Sequence, residues 1–256
     1  MWGYFVPFYP SVQPFFPPSR QTDQIGKYYA WSGCIVNKLL QGAVVIAALI
    51  GLAASPSQTY ADDSFKDLTG VQEKEKIESL HARGLVQGMT GDEFQPQAGL
   101  TASQGVTMIV KSLKLNLDGI AFIKKPEAKD VFTRVANDAW YAQPFIVAHY
   151  NELDIPTSIE PGRTLTREEF IHYLVQGIER TGAYPLPKIY IQIKDEASIT
   201  GAYQGTIERA LVYKVAALDP EGNIHPKTTI TRAEAAAMIY EAVAFVESHQ
   251  QVKSQP

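Results

Sequence analysis

The sequence predicts an all-α fold of three helix–loop–helix repeats, and three observations carry the prediction. A short stretch recurs as Leu100-Thr101-Ala102-Ser103-Gln104, Leu165-Thr166-Arg167-Glu168-Glu169 and Ile230-Thr231-Arg232-Ala233-Glu234. Each copy is a capping box: Thr101, Thr166 and Thr231 stand three places before Gln104, Glu169 and Glu234, so that hydroxyl and carboxylate or amide satisfy two orphan N–H groups at a helix start. Apolar residues then recur at spacings of three and four: Val106, Ile109, Val110 and Leu113; Phe170, Tyr173, Leu174 and Ile178; Ala235, Met238, Ile239, Ala242 and Val243. Finally, Pro96, Pro161 and Pro226 each precede the capping Thr by five residues, and the copies fall 65 residues apart both times, which marks an internal duplication.

The units divide the chain at 62–119, 126–182 and 188–247, with a polar tail at 248–256 and a region at 1–61 outside the fold. Residues 1–33 are rich in aromatics and Pro and show no periodicity. Lys38 then introduces an apolar run from Leu39 to Ala54, followed by a polar stretch and Ala61, the pattern of a secretory signal peptide cleaved after Ala61. That run of 16 residues falls short of the roughly 20 a membrane span requires, so no stable span is expected after cleavage. The chain before Val36 is abnormal for a signal peptide, and a start of translation at Val36 from a GTG codon is expected.

In the first unit, Phe65-Lys66-Asp67 leads to a helix with Ile77, Leu80 and Leu85 on one face, stopped by Gly84 in a position suited to a left-handed residue. The second has Lys129-Asp130-Val131 and first-helix material from Trp140 to Ile146. The third has Lys194-Asp195, then Ile207, Ala210, Leu211 and Val215. Between units, Lys188 to Ile193 alternates like a short strand after the rigid Tyr184-Pro185-Leu186-Pro187. The linker at Ala121 to Ile123 is one candidate partner for it.

Charge and motif content exclude several function classes. The net charge is −4 for the whole chain and −6 from residue 62 onward, with no basic stripe to neutralise phosphates, so nucleic acid is not an expected partner. The single Cys34 rules out an intrachain disulfide framework and a thiolate zinc site. The histidines at 81, 149, 172, 225 and 249 lack ligand spacing, and neither a G-x-S-x-G nor a Walker loop is present. No enzyme, cofactor or metal is expected.

The three units resemble S-layer homology repeats, whose pattern is an F-x-D start, a Trp entering the first helix, a glycine-punctuated helix end, a D-G-x-F-x-P loop and a T-R-A-E box. Phe65, Asp67, Ile77, Leu80, Gly84, Leu85, Gly88, Phe94 and Pro96 carry the match in the first unit, and Thr231-Arg232-Ala233-Glu234 in the third. The resemblance implies a pseudo-threefold arrangement around a central helical bundle, with grooves between repeats that bind secondary cell-wall polymer, commonly through a pyruvate ketal. It implies an exported protein of the cell wall or cell surface. A secreted protein-interaction module with degenerate glycan pockets, partnered by another surface protein, is the alternative.

Arg167 and Arg232 follow the capping Thr, at a first helical position where free N–H groups favour an anion and a guanidinium adds a planar fork. With Trp140 as a flat face for a sugar and Asp67, Asp130 and Asp195 at the unit starts, they form the candidate glycan-binding set, while loop capping competes as the role of the three aspartates. Departures from the pattern are informative. The first unit has Ala102 and Gln72 at the Arg and Trp positions, the third has Ala202 at the Trp position, and the second has Glu152 and Pro156 in place of its glycines. Three equivalent pockets are therefore not expected.

Overall fold

The structure, a computed structural model, describes residues 65–253, with side chains to residue 250. The signal-peptide reading, the Val36 start and Cys34 lie outside the described residues. Six α-helices follow in order: α1 Lys74–Ala82, α2 Ala102–Ser112, α3 Ala142–Tyr150, α4 Arg167–Thr181, α5 Gln204–Val212 and α6 Arg232–Lys253. Short 3-10 turns at Lys66–Leu68, Ala128–Asp130 and Glu196–Ser198 open the three repeats, and another at Gly201–Tyr203 leads into α5. The fold is all-α.

All three capping boxes close. The hydroxyls of Thr101, Thr166 and Thr231 accept from the N–H groups of Gln104, Glu169 and Glu234 at 3.3, 3.4 and 3.2 Å, and the three longer side chains accept from the Thr N–H groups in return. The preceding residues do more than enter a helix. Leu100 N–H donates to the Ile230 carbonyl (3.0 Å), Ile230 N–H to the Leu165 carbonyl (3.1 Å) and Leu165 N–H to the Leu100 carbonyl (2.9 Å), a closed ring around a pseudo-threefold axis. All three side chains are fully buried.

Helix packing follows the same rotation. The capped helices α2, α4 and α6 pack on one another at the centre. Each outer helix packs on the capped helix of the repeat before it: α3 on α2, α5 on α4 and α1 on α6, which closes the circle. The apolar stripes of α2, α4 and α6 are therefore shared between two partners, and one continuous core runs through all three repeats.

Helix ends are set locally. Gly84 takes a left-handed φ of 68° after α1, while Glu152 (58°) and Lys214 (59°) take it at the matching places after α3 and α5. A side chain in that conformation costs about 1–2 kcal/mol, offset in part by the unfolded-state freedom that glycine adds. Lys214→Gly is thus expected to raise the unfolding free energy by about 0.5 kcal/mol, read as a higher midpoint in denaturant titration.

The linkers differ from the candidate strand pair. Residues 183–193 form no strand, and the β-type pairing among the described residues is confined to isolated bridges at Gly99–Thr231, Thr101–Thr164 and Thr166–Thr229. Pro185 and Pro187 remove two donors, and Ile189 N–H turns back to the Pro187 carbonyl (2.9 Å). Tyr184 instead anchors the linker by packing against Phe245 of α6, with ring centroids 4.9 Å apart.

Candidate functional site: grooves between repeats

The starts of the capped helices hold no free N–H groups for an anion, which corrects part of the expectation for Arg167 and Arg232. The first N–H of α2, α4 and α6 donates to the carbonyl of Arg163, Thr228 and Ala98, and the second to that of Pro161, Pro226 and Pro96. The third is held by the capping Thr. The prolines five residues before each cap therefore present a carbonyl to the neighbouring repeat's helix. Any anion must be bound by side chains.

Those side chains line grooves made by all three repeats. One groove, about 300 Å³, is formed by Leu85 to Met89, by Gln104, Thr107, Met108 and Lys111 of α2, by Trp140 and by Arg232. A second, about 280 Å³, is its rotational mate: Lys214 to Ala217, then Glu234, Ala237, Met238 and Glu241 of α6, with Glu73, Lys76 and Arg167. Arg232 and Trp140, far apart in sequence, share one groove, whereas Arg167 lies in the other.

The two arginines differ in their neutralisation. Arg167 Nη2 donates to Glu234 Oε1 at 2.5 Å. The residue at the matching place in the Arg232 groove is Gln104, which carries no charge. Arg232 is only 4 % exposed, yet no carboxylate pairs with it among the described residues. Its Nε donates to the Phe94 carbonyl (2.8 Å) and its Nη2 to the Gln87 carbonyl (3.0 Å), with the guanidinium 4.5 Å over the Phe94 ring. Burial pulls its pKa below the usual arginine value, against the opposing charge of Asp67. Among the described residues Lys111, which lines the same groove, has no ion pair, and the Thr107 hydroxyl there has no hydrogen-bond partner.

The aspartates hold loops. Asp67 accepts from Phe94 N–H (2.9 Å) and Gln95 N–H (2.6 Å), and Asp195 from Ile224 N–H (2.9 Å) and His225 N–H (2.8 Å), fixing left-handed backbone at Gln95 and His225. Asp130 instead accepts from Glu127 N–H (3.1 Å) and pairs with Lys124. Asp67 and Arg232 thus grip the N–H and the carbonyl of the same residue, Phe94. Trp140 is 65 % exposed and precedes α3, with no hydrogen bond from its indole N–H among the described residues.

The third inter-repeat position is lined differently. Ala102 stands where the arginine belongs, and Glu169 is taken by a two-pronged pair with Arg163 at 3.0 and 2.8 Å. Burial would raise the Glu169 carboxyl, but Arg163 and Thr166 hold it below its ordinary value. Tyr203 lies on His172 with centroids 4.3 Å apart. Sequence reasoning missed this buried histidine; its place on the inward face of α4 was the available signal.

Thr206 Oγ1 donates to the Tyr203 carbonyl (2.7 Å), so His172 Nδ1 is the N–H donor to Thr206 (3.0 Å). Burial depresses its pKa from 6.5, only partly opposed by Asp154, with Arg209 and Glu179 the other facing charges. A depressed pKa means stability present above 6.5 and lost as pH falls, as the unfolded chain takes the proton first. Below that pH the unfolding free energy should fall by up to about 1.4 kcal/mol per pH unit, read as a lower thermal midpoint, and His172→Asn should flatten the slope there.

A larger cavity, about 420 Å³, lies at the opposite ends of the capped helices between Ser112, Asn116, Arg180 and Gln250. It holds none of the candidate residues, and its Arg180 and Glu247 are paired with Glu152 and Arg83. Among the described residues no helix is long and apolar enough to cross a membrane.

The S-layer homology domain family matches residues 64–101 and 192–236, within the first and third repeats. Among curated proteins, the chain is 29% identical over 181 residues to an exoglucanase of Acetivibrio thermocellus, and 28% over 183 residues to an amylopullulanase of Thermoanaerobacterium thermosulfurigenes. It is 25% identical over 213 residues to a surface-layer 125 kDa protein of Lysinibacillus sphaericus. These alignments take in 69%, 70% and 80% of the chain but only 16%, 9% and 17% of the relatives. The middle repeat, outside the matched segments, closes the same capping box and backbone ring as the other two. In these two segments the chain is similar to the S-layer homology domain family.

Proposed function

We propose that the protein is an exported, surface-associated binding protein that holds a cell-wall glycan non-covalently in the groove of Arg232 and Trp140. The bound unit carries a carboxylate, as a pyruvate ketal does. The observation that supports this reading is the buried, unneutralised Arg232. A buried charge without a partner costs several kcal/mol, and a guanidinium with spare N–H donors at a groove is complementary to a carboxylate. Lys111, Thr107 and the exposed Trp140 add a second cation, a free hydroxyl and a face for a sugar ring. Arg167 is the weaker site, because Glu234 already pairs with its Nη2 and offsets its charge. Asp67 and Asp195 position loops in this reading and do not touch glycan.

The family's place in a protein named for the surface layer supports the location. The two relatives named as enzymes match over a small part of their length, so their activities are not carried over; the groove proposed here binds without catalysis. The test is sedimentation of the protein with native cell-wall sacculi and with sacculi stripped of secondary polymer. Co-sedimentation that requires the polymer is the expected result, and equal binding to both would overturn it.

A second reading rests on exposed apolar side chains outside the grooves: Ile123, Leu186, Ile189 and Tyr190 stand on the two linkers. They suit a docking surface for another surface protein. Loss of a co-purified partner on Tyr190→Ser with Ile189→Ser, with sacculus binding intact, is the expected result there.

A further inference from the structure

Trp140 belongs to two cavities. Besides the Arg232 groove, it lines a separate space of about 270 Å³ bounded by Lys125, Pro126, Ala139, Ala142, Gln143 and Ile146. The side chains of Pro126, Ala139, Ala142 and Ile146 make its apolar walls. Two polar groups at its edge, the Lys125 ammonium and the Gln143 amide, have no hydrogen-bond or ion-pair partner among the described residues. Asn137 and Glu127, which also border it, are occupied with each other (2.6 Å).

The two spaces differ in charge. On the Arg232 side two cations stand without a carboxylate, whereas on the far side Lys125 faces Glu127. Apolar walls, one aromatic face and a few free donors are what a neutral sugar ring needs: its C–H face stacks while its hydroxyls hydrogen-bond.

We infer that the two cavities are adjacent subsites of one cleft divided by Trp140, the Arg232 side for the anionic sugar and the Gln143 side for a neutral sugar next to it in the same glycan. This rests on the glycan reading of the Arg232 groove. Among the described residues the two other places that match Trp140 hold Gln72 and Ala202, so neither repeats the aromatic divider.

The test is calorimetric titration of the protein with size-fractionated oligosaccharides released by mild acid from the secondary polymer of sacculi. The longer fractions are expected to bind about tenfold more tightly than the single charged unit. Lys125→Ala with Gln143→Ala, both exposed positions, is expected to leave affinity for the single unit unchanged and to remove the gain with length. Trp140→Ala is expected to weaken both. A gain that survives the double substitution, or no gain in the unaltered protein, overturns the second subsite while the Arg232 groove stands. If no fraction binds, or if all bind Arg232→Met as well as the unaltered protein, the groove reading itself falls, and the subsite with it.

Discussion

Arg232→Met is expected to release the protein from native sacculi while leaving its folding free energy within about 1 kcal/mol of the unaltered protein. The two effects part company because the residue's charge serves no ion pair in the fold. Methionine fills much of the same volume and removes a buried charge. Against that, the Phe94 and Gln87 carbonyls lose their donors, a cost of about 1–3 kcal/mol each at most. These changes nearly cancel. Binding has no such compensation: a charge-assisted, two-pronged bond contributes about 1.5–3 kcal/mol, so affinity should fall by about ten- to a hundredfold.

The matched control is Arg167→Met, where Glu234 loses its partner. There a small change in binding and a measurable loss of stability are expected. Sedimentation with sacculi and urea denaturation of both variants check the pair of outcomes. Undiminished binding by Arg232→Met would place the glycan elsewhere.

Leu165→Ala is expected to lower stability by about 3–5 kcal/mol and to do so for the whole domain at once. Leu165 is fully buried, and its Cδ1 lies only 2.7 Å from where a Cβ on Gly105 would stand, so α2 is packed closely onto it. Truncation leaves a void beside the backbone ring on the pseudo-threefold axis. Because every outer helix rests on the repeat before it, no repeat owns a complete core, and unfolding should remain a single transition. Near-ultraviolet and far-ultraviolet circular dichroism should report coincident midpoints. Separate transitions would contradict the circular closure.

The elements visible in the sequence are those decided within a few residues. The capping boxes at Thr101, Thr166 and Thr231 and the apolar stripes after them need no knowledge of distant neighbours, and they located α2, α4 and α6. The partner of each stripe was not legible, because periodicity marks a buried face without saying what covers it. That is why the packing of α1 on α6 could be seen only in three dimensions.

The prolines illustrate the same limit. Their constant offset from the caps was plain, but its reason is a carbonyl delivered to another repeat's helix. The site divides likewise. Arg167 and Arg232 looked equivalent, as did Glu234 and Gln104 in their capping role. Only the geometry across repeats turns the exchange of Glu for Gln into a difference in charge, with one arginine ion-paired and the other without a carboxylate partner among the described residues. Trp140, read from the sequence as a flat face for a sugar, stands exposed just before α3.

The closure of α1 on α6 also has a mechanical side. Lys76 pairs with Glu241 at 2.7 Å and Arg83 with Glu247 at 2.5 Å, so the two helices run in the same direction. Tension applied between the start of α1 and the end of α6 pulls these parallel neighbours in opposite senses along their length. That load is shear, shared by the whole seam together, and it does not peel one turn at a time. A protein held to a wall by one face and tugged through its chain would then yield only at the rate of concerted rupture.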